Sequence, residues 1–464
     1  MTLESSARVA VRAVVVTCEA LGMKSRSAPR QPVAPVSMPE ALGVVDLFCG
    51  AGGLAQGFAQ AGFRISAGLD HDPDAMATFH RNFSDAVSLT GDIRTSQMRE
   101  RLRDAAGESA VVVGGPPCQA FSQVRNHTRI IDDPRNSLYR EFVSVVNELR
   151  PRAFVMENVP GLAQMGVREQ VVQDLQLDGN YLVRPQLVDA SDYGVPQARK
   201  RLLFLGVRQD LGVEPPQLEG SGASAALTLL RESVDVGGYR LGLRNDVVAE
   251  ELLARLRDNQ DMSIVSVRQA IGDLEGLEVG RREDEYALTS PTSAYQVLMR
   301  SGQASAVNCS VPRMNRDTLL RLEGIPAGGN YRDLAENLRA RYLTGQKWGP
   351  STDSDQLARK HYYAYRRLHP DLWAWTLNTK ADAVYHYSVA RALSVREFLR
   401  LQSFPDSFVV TTDSRRGEIL GRIPNGATHS KYRQIGNAVP PLLAQAIAES
   451  ISQVLDLAKK PSLA

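Results

Sequence analysis

Residues 44–55 read VVDLFCGAGGLA, an apolar run that breaks into a glycine-rich turn and resumes as a helix-like stretch. The block satisfies the general strand, G-x-G-x-x-G/A, helix signature of nucleotide-type cofactor sites, and Asp70 follows about 20 residues on. An acidic side chain there is placed to accept hydrogen bonds from ribose hydroxyls, and Asp92 after the next apolar run could do the same for an adenine amino group. A glycine-rich turn without a ligand is the plainer alternative, which Asp70 weakens. On these residues alone, NAD and S-adenosylmethionine are both open.

Outward from this turn, short apolar strands alternate with helix-like stretches: strands at 44–48, 65–69, 111–113, 153–156 and 201–207, helices at 54–61, 73–82 and 139–149. That rhythm predicts an α/β fold with a doubly wound, mostly parallel sheet over residues 42–210. The rhythm fades beyond it. A Gly/Ser/Ala stretch near 219–226 reads as a linker or exposed loop, and a second, smaller domain fits the remainder to 385. At 464 residues and 43% apolar, the chain has core material for both. No repeat of solenoid type and no heptad run is present.

Residues 1–41 look like a flexible leader. Its apolar stretch 9–21 is interrupted by Arg12 and Glu19 and is too short to span a bilayer, and translation could equally begin at Met38. With 54 basic against 52 acidic residues the net charge is only +2, so any contact with a polyanion must come from local clustering. That balance argues against a histone-like or tail-like binder. Cys18, Cys49, Cys118 and Cys309 are widely spaced, which argues against a zinc site or a disulfide framework and for a reducing compartment.

The run 110–113 leads through Gly114-Gly115 into Pro116-Pro117-Cys118-Gln119, which mounts a thiol where a strand of the sheet ends. Two prolines fix φ and two glycines admit close backbone approach, so Cys118 is held in a set position. A packing cysteine needs no such mounting. Further on stand Glu157-Asn158-Val159, Gln197-Ala-Arg199-Lys-Arg201, Arg391-Ala-Leu-Ser-Val-Arg396-Glu397, Leu401-Gln-Ser-Phe-Pro405-Asp406 and Gln434-Ile-Gly436-Asn437-Ala-Val439-Pro. With these blocks, in this order from Val44 to Ile451, the chain strongly resembles the DNA (cytosine-5) methyltransferases. A dehydrogenase would account for the first turn and for none of the others.

The resemblance implies a Rossmann-like, S-adenosyl-L-methionine-dependent fold, with a catalytic domain at 42–210 completed by 386–455, a linker and target-recognition domain at 211–385, and a tail at 456–464. Cytosine C5 is a poor nucleophile, so the ring must first be activated by addition at C6. Cys118 is the nucleophile for that addition. Glu157 would serve at N3, provided burial or the neighbouring ring keeps it protonated when cytosine is bound. Arg199 and Arg201, two residues apart on one face of a strand, would hold the base carbonyl or orient the carboxylate. Cofactor contacts fall on Phe48, Gly50, Gly52, Leu54, Asp70, Asp92 and Ile93, with Pro116 and Leu138 near the adenine and Asn437 and Val439 returning from the C-terminal side.

A base inside a duplex hides C6, so such an enzyme must rotate the nucleotide into its pocket. Residues 121–136 fit a closing loop, with Arg125, His127, Arg129 and Arg135 for phosphates and Ser122 or Gln123 to fill the vacated space. Cations mixed with aromatics at 281–282, 342–348 and 359–363 suit base and phosphate contact, although each alone reads more readily as a charged surface. His127, His361 and His386 are too scattered for a ligand set, and the chemistry needs no metal. The implied partner is double-stranded DNA, with a restriction endonuclease as functional counterpart. A monomeric cytoplasmic prokaryotic protein, without membrane attachment, is expected. A related RNA methyltransferase acting on tRNA and a non-catalytic module keeping the fold are the alternatives; the long 211–385 segment speaks against the first and the intact Cys118, Glu157 and Arg199 against the second.

Overall fold

The computed structural model describes residues 41–117, 137–164, 167–225, 254, 257–338, 365–382, 384–413 and 426–458. Its first half alternates β1 (Gly43–Leu47), α1 (Gly53–Gln60), β2 (Arg64–Asp70), α2 (Pro73–Asn82), β3 (Val87–Thr90), α3 (Ser96–Ala106), β4 (Val111–Gly114), α4 (Ser137–Leu149), β5 (Ala153–Asn158), α5 (Arg168–Gln176), β6 (Tyr181–Asp189) and β7 (Lys200–Arg208). The seven strands form one sheet in the order β3-β2-β1-β4-β5-β7-β6. Neighbours from β3 to β5 are parallel, whereas β7 is antiparallel to both β5 and β6. The doubly wound expectation holds; helices α3 and α5, strand β6 and the reversed direction of β7 were not foreseen.

Alternation within each strand divides the interior into two layers. Val44, Val111, Val113, Val155, Leu203, Leu205 and Val207 face one side, under Ala55 and Phe58 of α1 and under Leu443, Ile447 and Ile451 of the C-terminal helix. Val45, Val112, Phe154, Met156, Leu202 and Phe204 face the other, against Leu102 of α3, Phe142 and Val146 of α4 and Leu175 of α5. Burial on both faces is why these strands read as continuous apolar runs.

Beyond β7 the described elements are α6 (Val267–Ile271), β8 (Tyr286–Ala287), α7 (Ala294–Arg300), β9 (Ser305–Ala306), α8 (Arg316–Glu323), α9 (Val395–Leu401), α10 (Gly426–Asn437) and α11 (Pro441–Leu457). A further apolar core joins Val267, Ile271, Tyr295 and Met299 to Trp373, Trp375, Leu393, Phe398, Leu401, Phe404 and Tyr432. Residues from both sides of position 385 therefore share one interior. The block at 391–406 supplies its buried ionic frame: Arg391 forks onto Glu397 at 2.7 and 2.8 Å, and Arg400 onto Asp406 at 2.5 Å. Arg396 donates to the carbonyls of Val307, Pro405 and Phe408. Unpaired, such buried charges would be prohibitive; here each guanidinium is met by carboxylate or carbonyl oxygens.

Candidate active site

Because β1, β2, β4 and β5 are parallel, their C-terminal ends open on one edge of the sheet, where ligands of open α/β folds bind. After β1 the chain turns with positive φ at Phe48, Gly50 and Gly52 (55°, 54° and 97°) before entering α1. Gly50 N–H donates to Asp70 Oδ2 at 2.9 Å, and Cys49 N–H to the Leu69 carbonyl, so the turn is stitched to the end of β2. Asp46, fully buried beneath it, accepts from Ala55 N–H at 3.1 Å; burial pushes its carboxyl up to about 8.

Among the expected cofactor residues, Phe48, Gly50, Gly52 and Asp70 converge on this edge. Asp70 Oδ1 accepts from Asp72 N–H at 2.9 Å and lies 3.2 Å from His71 Nδ1. Asp92 is half-exposed and gripped by Arg94 at 2.6 Å, whose hydrogen bonds hold it down at about 2. Leu54, Ile93 and Val439 are buried in the core layers, and Leu138 packs partly buried against one of them. Asn437 is exposed at the end of α10. That end is brought back by polar links from α10 to α2: Arg433 to Asp72 at 2.7 Å, Ser430 Oγ to Asp74 Oδ2 at 2.6 Å, and Thr78 Oγ1 to Gln434 Oε1 at 2.6 Å. A Cβ on Gly53 would stand 2.3 Å from the Val439 carbonyl, so only glycine lets the two segments meet.

Cys118 and the segments 121–136, 342–348 and 359–363 lie outside the described residues, as do leader residues 1–40. The mount of Cys118 is described up to Pro117. Asn158 Nδ2 donates to the Pro116 carbonyl at 3.3 Å, tying the loop base to β5. A Cβ on Gly115 would lie 2.9 Å from Glu157 Oε2, which places that oxygen directly over the loop. Glu157 Oε1 is 2.5 Å from Arg201 Nε. Their meeting follows from register: Glu157 pairs with Leu203 across β5 and β7, so Arg201 is its diagonal neighbour on the same face.

Arg199 takes a different place. It precedes β7, is fully buried, and donates to the carbonyls of Leu377 at 3.2 Å and Gly436 at 2.8 Å; burial pulls its guanidinium well below its ordinary range. Gln197 works beside it, donating to the Leu401 carbonyl at 3.1 Å and accepting from Leu377 N–H at 2.9 Å. Of the two arginines expected to hold the base carbonyl or orient the carboxylate, Arg199 is thus engaged with the second core and the approach to Asn437 and makes no hydrogen bond or ion pair with Glu157 among the described residues. Cys49 and Cys309 are buried, and burial drives both thiols upward, Cys309 to about 12. Burial of this kind disfavours the reactive thiolate at both positions. Arg281 is engaged internally, 5.4 Å over the Tyr286 ring and donating to the Glu285 carbonyl, and His386 is buried 3.5 Å from Glu397.

Sequence reasoning missed His71, Asp72, Asn158, Gln197 and Arg433. Asn158 and Gln197 stood inside quoted blocks, and the contacts of His71 and Asp72 with Asp70 are local to the sequence; the pairing of Asp72 with Arg433 depends on tertiary docking and left no local signal.

Three comparisons bear on this geometry. The family model described as C-5 cytosine-specific DNA methylase matches residues 42–453. The type II methyltransferase M.AgeI of Thalassovita gelatinovora is 33% identical, over 88% of this chain and 98% of that protein. M1.HphI of Haemophilus parahaemolyticus, also a type II methyltransferase, is 31% identical over 88% of this chain and 86% of that protein. Among solved structures, a DNA modification methyltransferase encoded within a prophage (E. coli) shares the fold, with a TM-score of 0.61 at 23% identity, over 90% of this chain and 100% of that one. With a family match running from β1 to α11 and relatives similar over nearly their whole length, the chain belongs to the C-5 cytosine-specific DNA methylases and is a DNA (cytosine-5-)-methyltransferase.

Proposed function

We propose that the enzyme methylates C5 of a cytosine in a specific double-stranded DNA sequence, using S-adenosyl-L-methionine and a covalent adduct between Cys118 and C6 of a flipped base. The observation that carries this reading is the Glu157 carboxylate, fixed by Arg201 on one oxygen and lying over Gly115, three residues before Cys118, with the other. The residues at the sheet edge fit the cofactor: Gly50 leaves open space where a side chain would stand, and Asp70 is placed for ribose hydroxyls. When bound, the cofactor supplies an electrophilic methyl group on its sulfonium sulfur. Cys118 thiolate forms the Sγ–C6 bond while electron density moves to C5, and Glu157 delivers a proton or hydrogen bond at N3. After methylation, loss of the C5 proton restores the C5=C6 bond and breaks Sγ–C6, freeing the thiolate.

Duplex DNA with 5-fluorocytosine at the target tests the adduct, since fluorine cannot leave as a proton. Mass analysis should place the cross-link on Cys118, and Cys118→Ala should abolish transfer while retaining cofactor binding. A cross-link on Cys49 or Cys309, or an active Cys118→Ala enzyme, refutes the mechanism. Labelled methyl appearing in tRNA and not in duplex DNA would refute the substrate. Reading of the target by 211–385, a cognate restriction endonuclease and monomeric action in the cytoplasm belong to the same reading, for which the relatives named as type II methyltransferases are the support.

A further inference from the structure

The carboxylate at the end of β2 is nearly saturated before any ligand arrives. A carboxylate offers about four lone-pair sites. Gly50 N–H occupies one on Oδ2 and Asp72 N–H one on Oδ1, both at 2.9 Å, leaving two, which matches the pair of hydroxyls a ribose presents. His71 Nδ1, 3.2 Å from Oδ1, claims one of those two. The imidazole is otherwise 82% exposed, so nothing but this acceptor and the surrounding charges holds it there. Those charges are Asp70 and Asp72 on either side, Arg433 reaching Asp72 from α10, and Asp92 with its partner Arg94 from the turn before α3.

We propose that protonated His71 competes with the cofactor ribose for Asp70, so that cofactor binding is coupled to release of a proton from His71. This rests on the reading of Asp70 as the ribose acceptor. The direction follows from linkage. In the free enzyme the hydrogen bond to Asp70 raises His71 above its ordinary value, outweighing burial and Arg433. A ribose that takes over the lone pair removes that support, the bound state holds fewer protons, and affinity must fall as pH falls.

Titration calorimetry with S-adenosyl-L-homocysteine, between about pH 6 and about pH 8 and in two buffers of different ionisation enthalpy, reads this directly. The wild type should release protons on binding and weaken on acidification, approaching about tenfold per pH unit at full competition. His71→Asn and His71→Gln should flatten the profile, abolish that proton release and bind more tightly than wild type at the acid end. A wild-type slope and proton release retained in both variants would overturn the proposal. Asp70→Ala separates it from the reading beneath: wild-type affinity in that variant removes Asp70 as ribose acceptor, whereas loss of binding with unaltered profiles in the His71 variants condemns His71 alone.

Discussion

Glu157 and Arg201 stand 44 residues apart along the chain, yet in space they are diagonal neighbours whose charged atoms lie 2.5 Å apart.

 Arg199, 42 residues from Glu157, is turned instead to the carbonyls of Leu377 and Gly436. Glu157→Gln keeps the shape and removes the transferable proton, so kcat should fall by about 10²–10⁴-fold with cofactor affinity unchanged. Arg201→Ala should also lower kcat, and Arg201→Lys should recover only part of it, because a point charge cannot replace an oriented guanidinium. Single-turnover methylation together with calorimetric cofactor binding checks both; an equal loss of cofactor affinity would mean that the pair supports the fold and not the chemistry. The two residues were legible through the resemblance that their sequence blocks carry. The separate employment of Arg199 was not, since the carbonyls it meets belong to Leu377 and Gly436, far along the chain.

Among the elements, α1 and α11 make a close approach that bears on the site. A Cβ on Gly57 would fall 2.4 Å from Ala444 Cβ and 2.5 Å from the Pro441 carbonyl, so the helices touch backbone to backbone. Gly57→Val should overpack this contact at a cost of about 1–3 kcal/mol, read as a lowered urea midpoint. Cofactor affinity should drop with it, because the same shift moves Val439 away from Gly53. An undiminished midpoint would show that α11 docks elsewhere. The strands of the parallel half were readable from their apolar runs, but β6 was not: Tyr181–Asp189 carries Arg184, Pro185 and Gln186 and is only partly buried. A proline in such a run demotes it as a strand and is tolerated here because β6 is the sheet's edge. The direction of β7 was hidden for a different reason: alternation reports which side a residue faces, and is the same read either way along a strand.

At the scale of the whole molecule, the sheet and the second core are fastened through residues 197–199. Arg199→Lys cannot reach both carbonyls and should leave one or both of them buried and unmet, destabilising the protein by about 2–4 kcal/mol. Urea unfolding followed by fluorescence of the tryptophans near this junction, Trp373 and Trp375, reads the loss; a variant as stable as wild type would show that the fastening is dispensable. The end of the regular sheet was legible in the fading of the strand and helix rhythm after residue 210, but the second core was not, because it is assembled from Ala223 and from residues within 264–299, 368–377, 384–387, 393–410 and 432–435, and no local pattern announces such an assembly. The reversed β7 has one more consequence. The chain leaves the catalytic edge at Asn158, runs down through α5, turns at the exposed residues 178–180, climbs β6 and re-enters the edge at Lys200. Residues 159–199 are therefore a closed excursion whose two ends are pinned side by side, and its far turn is a seam at which the polypeptide could be severed into two complementing halves, one bringing Glu157 and the other Arg201.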